Sequence, residues 1–289
     1  MALATLACAS EPAGAPASAP APAVAATAAA PAPPAATTRA QAFSKDRAWG
    51  HLEAQLAMGP RGEGLPGKAK LRAYLRDHLQ ALGATTRELR FTHQGRDDAA
   101  PAEFVNVMGR FNPQAARWIL LGTHYDTRLW ADEDPEPSRR THPIEGADDG
   151  ASGTAVLLEI ATVLAEHPPD IGVEIVFFDG EDYGRPDVFE DYFLGSQAQV
   201  VKWSELYGNS RPEAAVVVDM VGDAELSFRR EAKADERFAW LNDLLWKTGR
   251  ELGLPAFSSA EMQGITDDHD ALMALGIPST LLIDFDYPW

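Results

Sequence analysis

Cysteine is nearly absent from this chain: Cys8 is the only one in 289 residues. An internal disulfide and a thiolate-rich zinc site are thereby excluded. Basic residues are scarce too, with 25 Lys and Arg against 43 Asp and Glu and a formal net charge of −18. That balance argues against nucleic acid or an anionic membrane surface as partner. No apolar run is long enough for a transmembrane helix. No Gly-X-Ser-X-Gly turn with suitable partners marks a nucleophilic serine hydrolase. What remains is an acidic chain, 45% hydrophobic, long enough for one large domain with a substantial core.

The N-terminus differs in character from the rest. Residues 9–39 are almost entirely Ala, Pro, Ser and Thr, too broken by proline to pack, and read as a disordered, semi-extended linker. Residues 1–8 end in Leu6-Ala7-Cys8, which resembles the close of a bacterial lipoprotein signal. That likeness implies a lipid anchor at Cys8 and an envelope or periplasmic location. The start lacks the charge and apolar length of a signal peptide, so either the true start lies upstream or the likeness is chance.

The folded part begins near Ala40. Helical spacing covers Ala48 to Met58, Lys68 to Leu82, Gly150 to Leu164, Arg237 to Leu252 and Ala271 to Leu275. Strand patterns cover Thr86 to Thr92, Phe104 to Phe111, Trp118 to Gly122, Val173 to Phe178, Ala214 to Val221 and Ser279 to Phe285. Leu129 to Glu145 and Arg185 to Tyr192 read as surface loops. His142, in the first of these, reads as an exposed loop histidine.

Two acidic stretches organise this pattern. The Val173–Phe178 run ends in Asp179-Gly-Glu181-Asp182, so three carboxylates leave the carboxyl end of a buried strand, where open α/β sheets bind ligands. Gly146-Ala-Asp148-Asp149-Gly150 precedes a helix whose small first residues, Ala151, Ser152 and Gly153, let the backbone come close to whatever Asp149 binds. His124 and Asp126, two apart on an extended segment, point to one side. Asp219 is a carboxylate inside an apolar run, a place seldom occupied without a partner. Like charges crowded at one sheet edge cost stability unless a cation neutralises them. The pattern predicts a metal site.

Six motifs in order carry a family resemblance: His124-Tyr-Asp126, Gly146 to Gly153, Phe177-Phe-Asp-Gly-Glu181-Asp182, Leu194-Gly-Ser196, Asp219-Met-Val-Gly222 and Thr266-Asp-Asp268-His269. From Ala40 to Trp289 the chain resembles the zinc-dependent glutaminyl-peptide cyclotransferases, their bacterial branch in particular, and less closely the related zinc aminopeptidases. The resemblance implies a three-layer α/β/α sandwich around a mixed, mostly parallel sheet of the zinc-exopeptidase type. It implies Zn2+ held by Asp149 and Asp182, Glu181 as general acid/base, and Asp219 and Asp268 as the acidic pair that receives a peptide's amino terminus. Trp289 is implied as a second substrate-binding residue. His124 and Asp126 correspond to residues that hold a second metal in the aminopeptidases, whereas the cyclases work with one.

The family's third zinc ligand is a histidine shortly after the Asp-Phe-Asp-Tyr-Pro strand end, and this chain stops at Trp289. Neither His142 nor His269 fits as a substitute. The expectation is a catalytic domain, residues 40–289, cut short of its C-terminal segment, with two carboxylates where zinc sites usually have four donors. Three functions follow as alternatives: cyclisation of N-terminal glutamine to pyroglutamate, aminopeptidase cleavage at a two-metal site, or a silent module that keeps the fold for binding. Peptide or protein N-termini are the implied partners of the first two.

Overall fold

Alternating apolar residues and β-branched runs place a six-stranded sheet at the centre of the chain. The computed structural model describes residues 42–95, 100–185, 188–259 and 261–286. Its strands are β1 (Thr85–His93), β2 (Ala102–Phe111), β3 (Trp118–His124), β4 (Gly172–Phe178), β5 (Ala215–Asp219), the two-residue β6 (Arg230–Glu231) and β7 (Met262–Gln263), and β8 (Ser279–Ile283). The sheet order is β1-β2-β4-β3-β5-β8, with β6 and β7 paired separately. β1, β2 and β4 pair antiparallel, while β4–β3, β3–β5 and β5–β8 are parallel. The sheet is mixed with a parallel majority, as the resemblance implied.

The helices are α1 (Lys45–Met58), α2 (Pro66–Ala81), α3 (Ala151–Glu166), α4 (Leu194–Val201), α5 (Trp203–Tyr207), α6 (Ala232–Glu251) and α7 (Asp268–Ala274). β4 is buried along its whole length, and its alternate side chains enter two separate cores. Ile175 and Phe177 pack with Leu71, Leu75 and Leu79 of α2 and with Leu157 and Leu158 of α3. Val176 and Phe178 pack with Trp203 of α5 and Leu272 of α7. One apolar layer on each face makes the α/β/α sandwich, and each buried Leu or Phe contributes about 2 kcal/mol by leaving water.

Several boundaries differ from those read in the sequence. β5 stops at Asp219 rather than Val221 because Met220 turns out of the strand at φ 44°. β8 stops at Ile283 rather than Phe285. α6 begins at Ala232, five residues before Arg237, capped by the Glu231 side chain, which accepts from the Ala234 amide at 2.6 Å. A non-helical Phe238 (φ −143°) breaks its periodicity. α7 begins at Asp268, so Asp268 and His269 lie in the first helical turn and not in the preceding loop, and Asp267 is the N-cap. The short α5, β6 and β7 carry too few residues for a periodic signal. Cys8, the 9–39 linker, the start near Ala40 and Trp289 lie outside the described residues. Among the described residues, no helix is long and apolar enough to cross a membrane.

Candidate metal centre

Because β3, β4, β5 and β8 run parallel, their carboxyl ends share one edge of the sheet. His124 is the last residue of β3 and Asp219 the last of β5. Glu181 and Asp182 follow β4, and Asp149 stands two residues before α3. Asp149, Glu181, Asp182, Asp219 and Asp267 all line a cavity of about 620 Å³. Parallel register thus brings together side chains up to 143 positions apart in the chain (267 − 124).

His124 lies at the crossing point. Its Nε2 is 3.1 Å from Asp149 Oδ1 and 3.0 Å from Asp219 Oδ1, and its Nδ1 is 3.6 Å from Glu181 Oε2. His124, Asp149 and Asp182 each offer a donor atom within 4.8 Å of the others. Asp126 is engaged differently. Its Oδ1 accepts the Glu181 amide at 3.1 Å and its Oδ2 the Asp182 amide at 3.2 Å. Both carboxylate oxygens hold the loop that presents the acids, and Asp126 is not among the three grouped donors.

Close packing builds the site. A Cβ on Gly153 would stand 2.4 Å from Thr123 Oγ1 and 2.6 Å from the Val218 carbonyl, so only glycine lets α3 start this near β3 and β5. Behind the acidic loop, Lys68 Nζ reaches Asp179 Oδ1 at 2.8 Å, and the Val105 amide donates to Asp179 Oδ2 at 2.7 Å. On the cavity wall, Arg128 donates to Tyr192 Oη and Asp132 Oδ2, both at 2.9 Å.

The electrostatics separate the carboxylates. Burial, then the neighbouring Asp182, push Glu181 well above the ordinary range of a carboxyl group. Burial and the Asp149 charge do the same to Asp182. Burial also acts on Asp149, but its hydrogen bond and attraction to His124 outweigh it and hold its pKa down. Burial opposes a charge on His124, yet Asp219 and Glu181 together keep the imidazole well above its usual value. Asp267 is raised to about 7 by burial and by Asp219. Such divergence among adjacent acids is characteristic of sites that move protons.

The sequence singled out Asp268 for the substrate, but the structure puts Asp267 on the cavity wall and buries Asp268 completely behind it. His269 is also fully buried and away from the donor group, and His142 is exposed. The sequence named Asp149 and Asp182 for one ion and His124 with Asp126 for a second; the structure groups His124 with Asp149 and Asp182 and leaves Asp126 outside that group.

The donors present fit a divalent cation. Three mixed nitrogen and oxygen donors with room for a further ligand is the make-up of catalytic zinc sites. Asp182 Oδ2 is buried without a hydrogen-bond partner, a costly state that a bound cation relieves.

Comparison with known proteins agrees. The model of peptidase family M28 matches residues 106–289. The bovine glutaminyl-peptide cyclotransferase-like protein is 26% identical over 250 residues, covering 79% of this chain. The chain spans 63% of that relative's length. A Zn-dependent exopeptidase of Parabacteroides distasonis superposes with TM-score 0.80 at 32% identity, covering 84% of this chain and 85% of that one. The Tannerella forsythia glutaminyl cyclase superposes with TM-score 0.78 at 32% identity, covering 85% and 86%.

Proposed function

We propose that this chain, which belongs to peptidase family M28, is a zinc-dependent glutaminyl-peptide cyclotransferase acting on peptide or protein N-termini. The observation that supports it most is Glu181: a buried carboxyl with a strongly raised pKa, beside the donor group yet outside it. A carboxyl with a raised pKa, beside the donor group but not part of it, can accept a proton and hand it on.

His124, Asp149 and Asp182 are the residues that would hold the ion, and a bound zinc supplies Lewis-acid polarisation of the glutamine side-chain amide carbonyl. One ion satisfies this donor set. Asp219 and Asp267 accept hydrogen bonds from the substrate's neutral α-amino group at the cavity wall. Glu181 takes a proton from the α-amine as its nitrogen bonds to the side-chain carbonyl carbon. It returns that proton to the leaving amide nitrogen as the carbon–nitrogen bond breaks, so pyroglutamate and ammonia are the products. Attacker and target belong to one residue, which gives a high effective concentration and removes the need for an attacking water.

The test is to incubate zinc-loaded protein with Gln-, Leu- and Ala-peptides and follow ammonia and free amino acids by mass spectrometry. Ammonia with a pyroglutamyl product, abolished by Glu181→Gln, is the expected result. The likeness to a Zn-dependent exopeptidase supports a second reading, in which the same acid activates water; free Leu or Ala would establish it instead. No turnover by zinc-bound protein would overturn both and leave a binding role. Fractionating cells that carry Cys8→Ser tests the lipid-anchored envelope location that Leu6-Ala7-Cys8 implies.

A further inference from the structure

Arg61 lies between α1 and α2 and is fully buried. A guanidinium so placed ordinarily bonds a carboxylate. Arg61 bonds main-chain carbonyls instead: Nε donates to Tyr125 O at 3.1 Å, Nη1 to Glu145 O at 2.8 Å and Nη2 to Gly146 O at 2.6 Å. Its own amide donates to Thr127 Oγ1 at 2.9 Å. These partners sit on two loops. Tyr125 lies between His124 and Asp126, while Glu145 and Gly146 lead into Asp149. One side chain therefore ties together the segments that deliver two of the three grouped donors.

The fit leaves no slack. Gly146 has φ +56°, and a Cβ there would stand 2.8 Å from Arg61 Nη2 and 2.3 Å from Thr127 Cγ2. Burial lowers the Arg61 pKa to about 10 against the pull of Asp126 and Asp149, so the group stays charged at neutral pH and keeps its full set of donors. The reaction described above makes no use of it.

The geometry points to Arg61 as a positioning residue that sets the spacing between His124 and Asp149, and with it the affinity of the His124–Asp149–Asp182 group for a divalent cation. This rests on the metal-site reading and not on the identity of the reaction catalysed. A planar fork with donors in several directions spans two loops at once; a lysine ammonium is a single point and bridges them incompletely.

The test measures zinc affinity of the full chain by competition with a chromogenic chelator, in wild type, Arg61→Met, Arg61→Lys and Arg47→Met. Loss of a group that orients metal ligands typically weakens binding about 10- to 100-fold. That loss is expected for Arg61→Met, with a smaller loss for Arg61→Lys. Arg47→Met is the control: it removes the two-point pair with buried Glu159, so it should lower Tm and leave zinc affinity unchanged. Equal affinity in wild type and Arg61→Met overturns the proposal, as does an equal loss in Arg47→Met. If Arg61→Met does not fold by circular dichroism, Arg61→Lys carries the same comparison. A wild type that takes no zinc sinks the metal reading itself. The staple is then judged by amide exchange at Tyr125 and Ala151, which are bonded to Phe178 O and Gly146 O. Faster exchange in Arg61→Lys supports it and unchanged exchange overturns it.

Discussion

His124 Nε2 lies 3.0 Å from Asp219 Oδ1, across the adjacent parallel strands β3 and β5. The same nitrogen is 3.1 Å from Asp149. One imidazole thus links a grouped cation donor to the carboxylate assigned to the substrate's amino terminus. Asp219 is further fixed because its Oδ1 also accepts the Met220 amide at 2.8 Å. The strained Met220 backbone (φ 44°) turns the chain immediately after the acid.

Replacing Asp219 by Asn keeps the shape and removes the charge. A hydrogen bond to a charged group is worth about 1.5–3 kcal/mol, and 1.4 kcal/mol corresponds to about tenfold in affinity. KM for Gln-peptides is expected to rise by about tenfold or more, with a smaller change in zinc affinity. Steady-state kinetics alongside a chelator competition separate the two; an unchanged KM removes Asp219 from the substrate side.

Asp126 caps two amides with two oxygens. Asp126→Asn leaves one oxygen and sets an NH2 group against an N–H. An unsatisfied buried amide costs about 1–3 kcal/mol, so Tm should fall even with zinc chelated. Activity should fall with it, because the amides belong to Glu181 and Asp182 themselves. Calorimetry in excess chelator checks the first effect; no drop in Tm would mean that the loop holds its shape without this cap.

Asp267 and Asp268 are adjacent acids with different places. Asp267 lines the cavity, whereas Asp268 is sealed behind it with both oxygens lacking a hydrogen-bond partner. Asp267→Asn should raise KM for Gln-peptides while leaving stability nearly unchanged. Asp268→Asn should leave KM unchanged and register mainly in Tm. Parallel kinetics and thermal melts of the two variants decide, and the reverse pattern would restore Asp268 as the substrate residue.

That contrast shows where the sequence was legible and where it was not. Val173 to Phe178 announces a buried strand, and an acid inside the apolar run before Val221 announces a partnered carboxylate. The parallel sheet edge then follows from topology, and most of the site with it. Which of two adjacent aspartates caps α7 depends on a helix start that pattern alone fixes only to within a residue or two. His124 as a donor beside Asp149 depends on strand register and ring orientation, neither of which is written in His-Tyr-Asp. Arg61 reads as a loop residue in Gly-Pro-Arg-Gly, since its carbonyl partners are 64 to 85 positions away. Side chains that bond backbone across the fold leave no spacing signal.

The last prediction concerns pH and lies apart from the metal centre. On α1, His51 Nδ1 shares a 2.7 Å hydrogen bond with Tyr74 Oη, and its ring meets His78 of α2 edge-on at 4.7 Å. Burial first, and then repulsion from His78, lower the His51 pKa from 6.5 to about 4; burial lowers His78 as well. Both rings are therefore held neutral in the fold. Above pH 6.5 they are neutral in the unfolded chain too and contribute no pH dependence. As pH falls below 6.5 the unfolded chain takes up protons that the folded chain refuses, so stability is lost, and for His51 the loss is complete near pH 4. Since the ring keeps some contact with water, the loss attributable to His51 is about 1–2 kcal/mol, less than the full shift would give. His51→Gln removes the titration while keeping a polar group near Tyr74. Urea unfolding of wild type and variant at intervals from pH 7 to 4 isolates the effect, because the carboxylates are common to both. The two stability curves should converge as pH falls, and curves that stay parallel would mean that His51 titrates alike in both states.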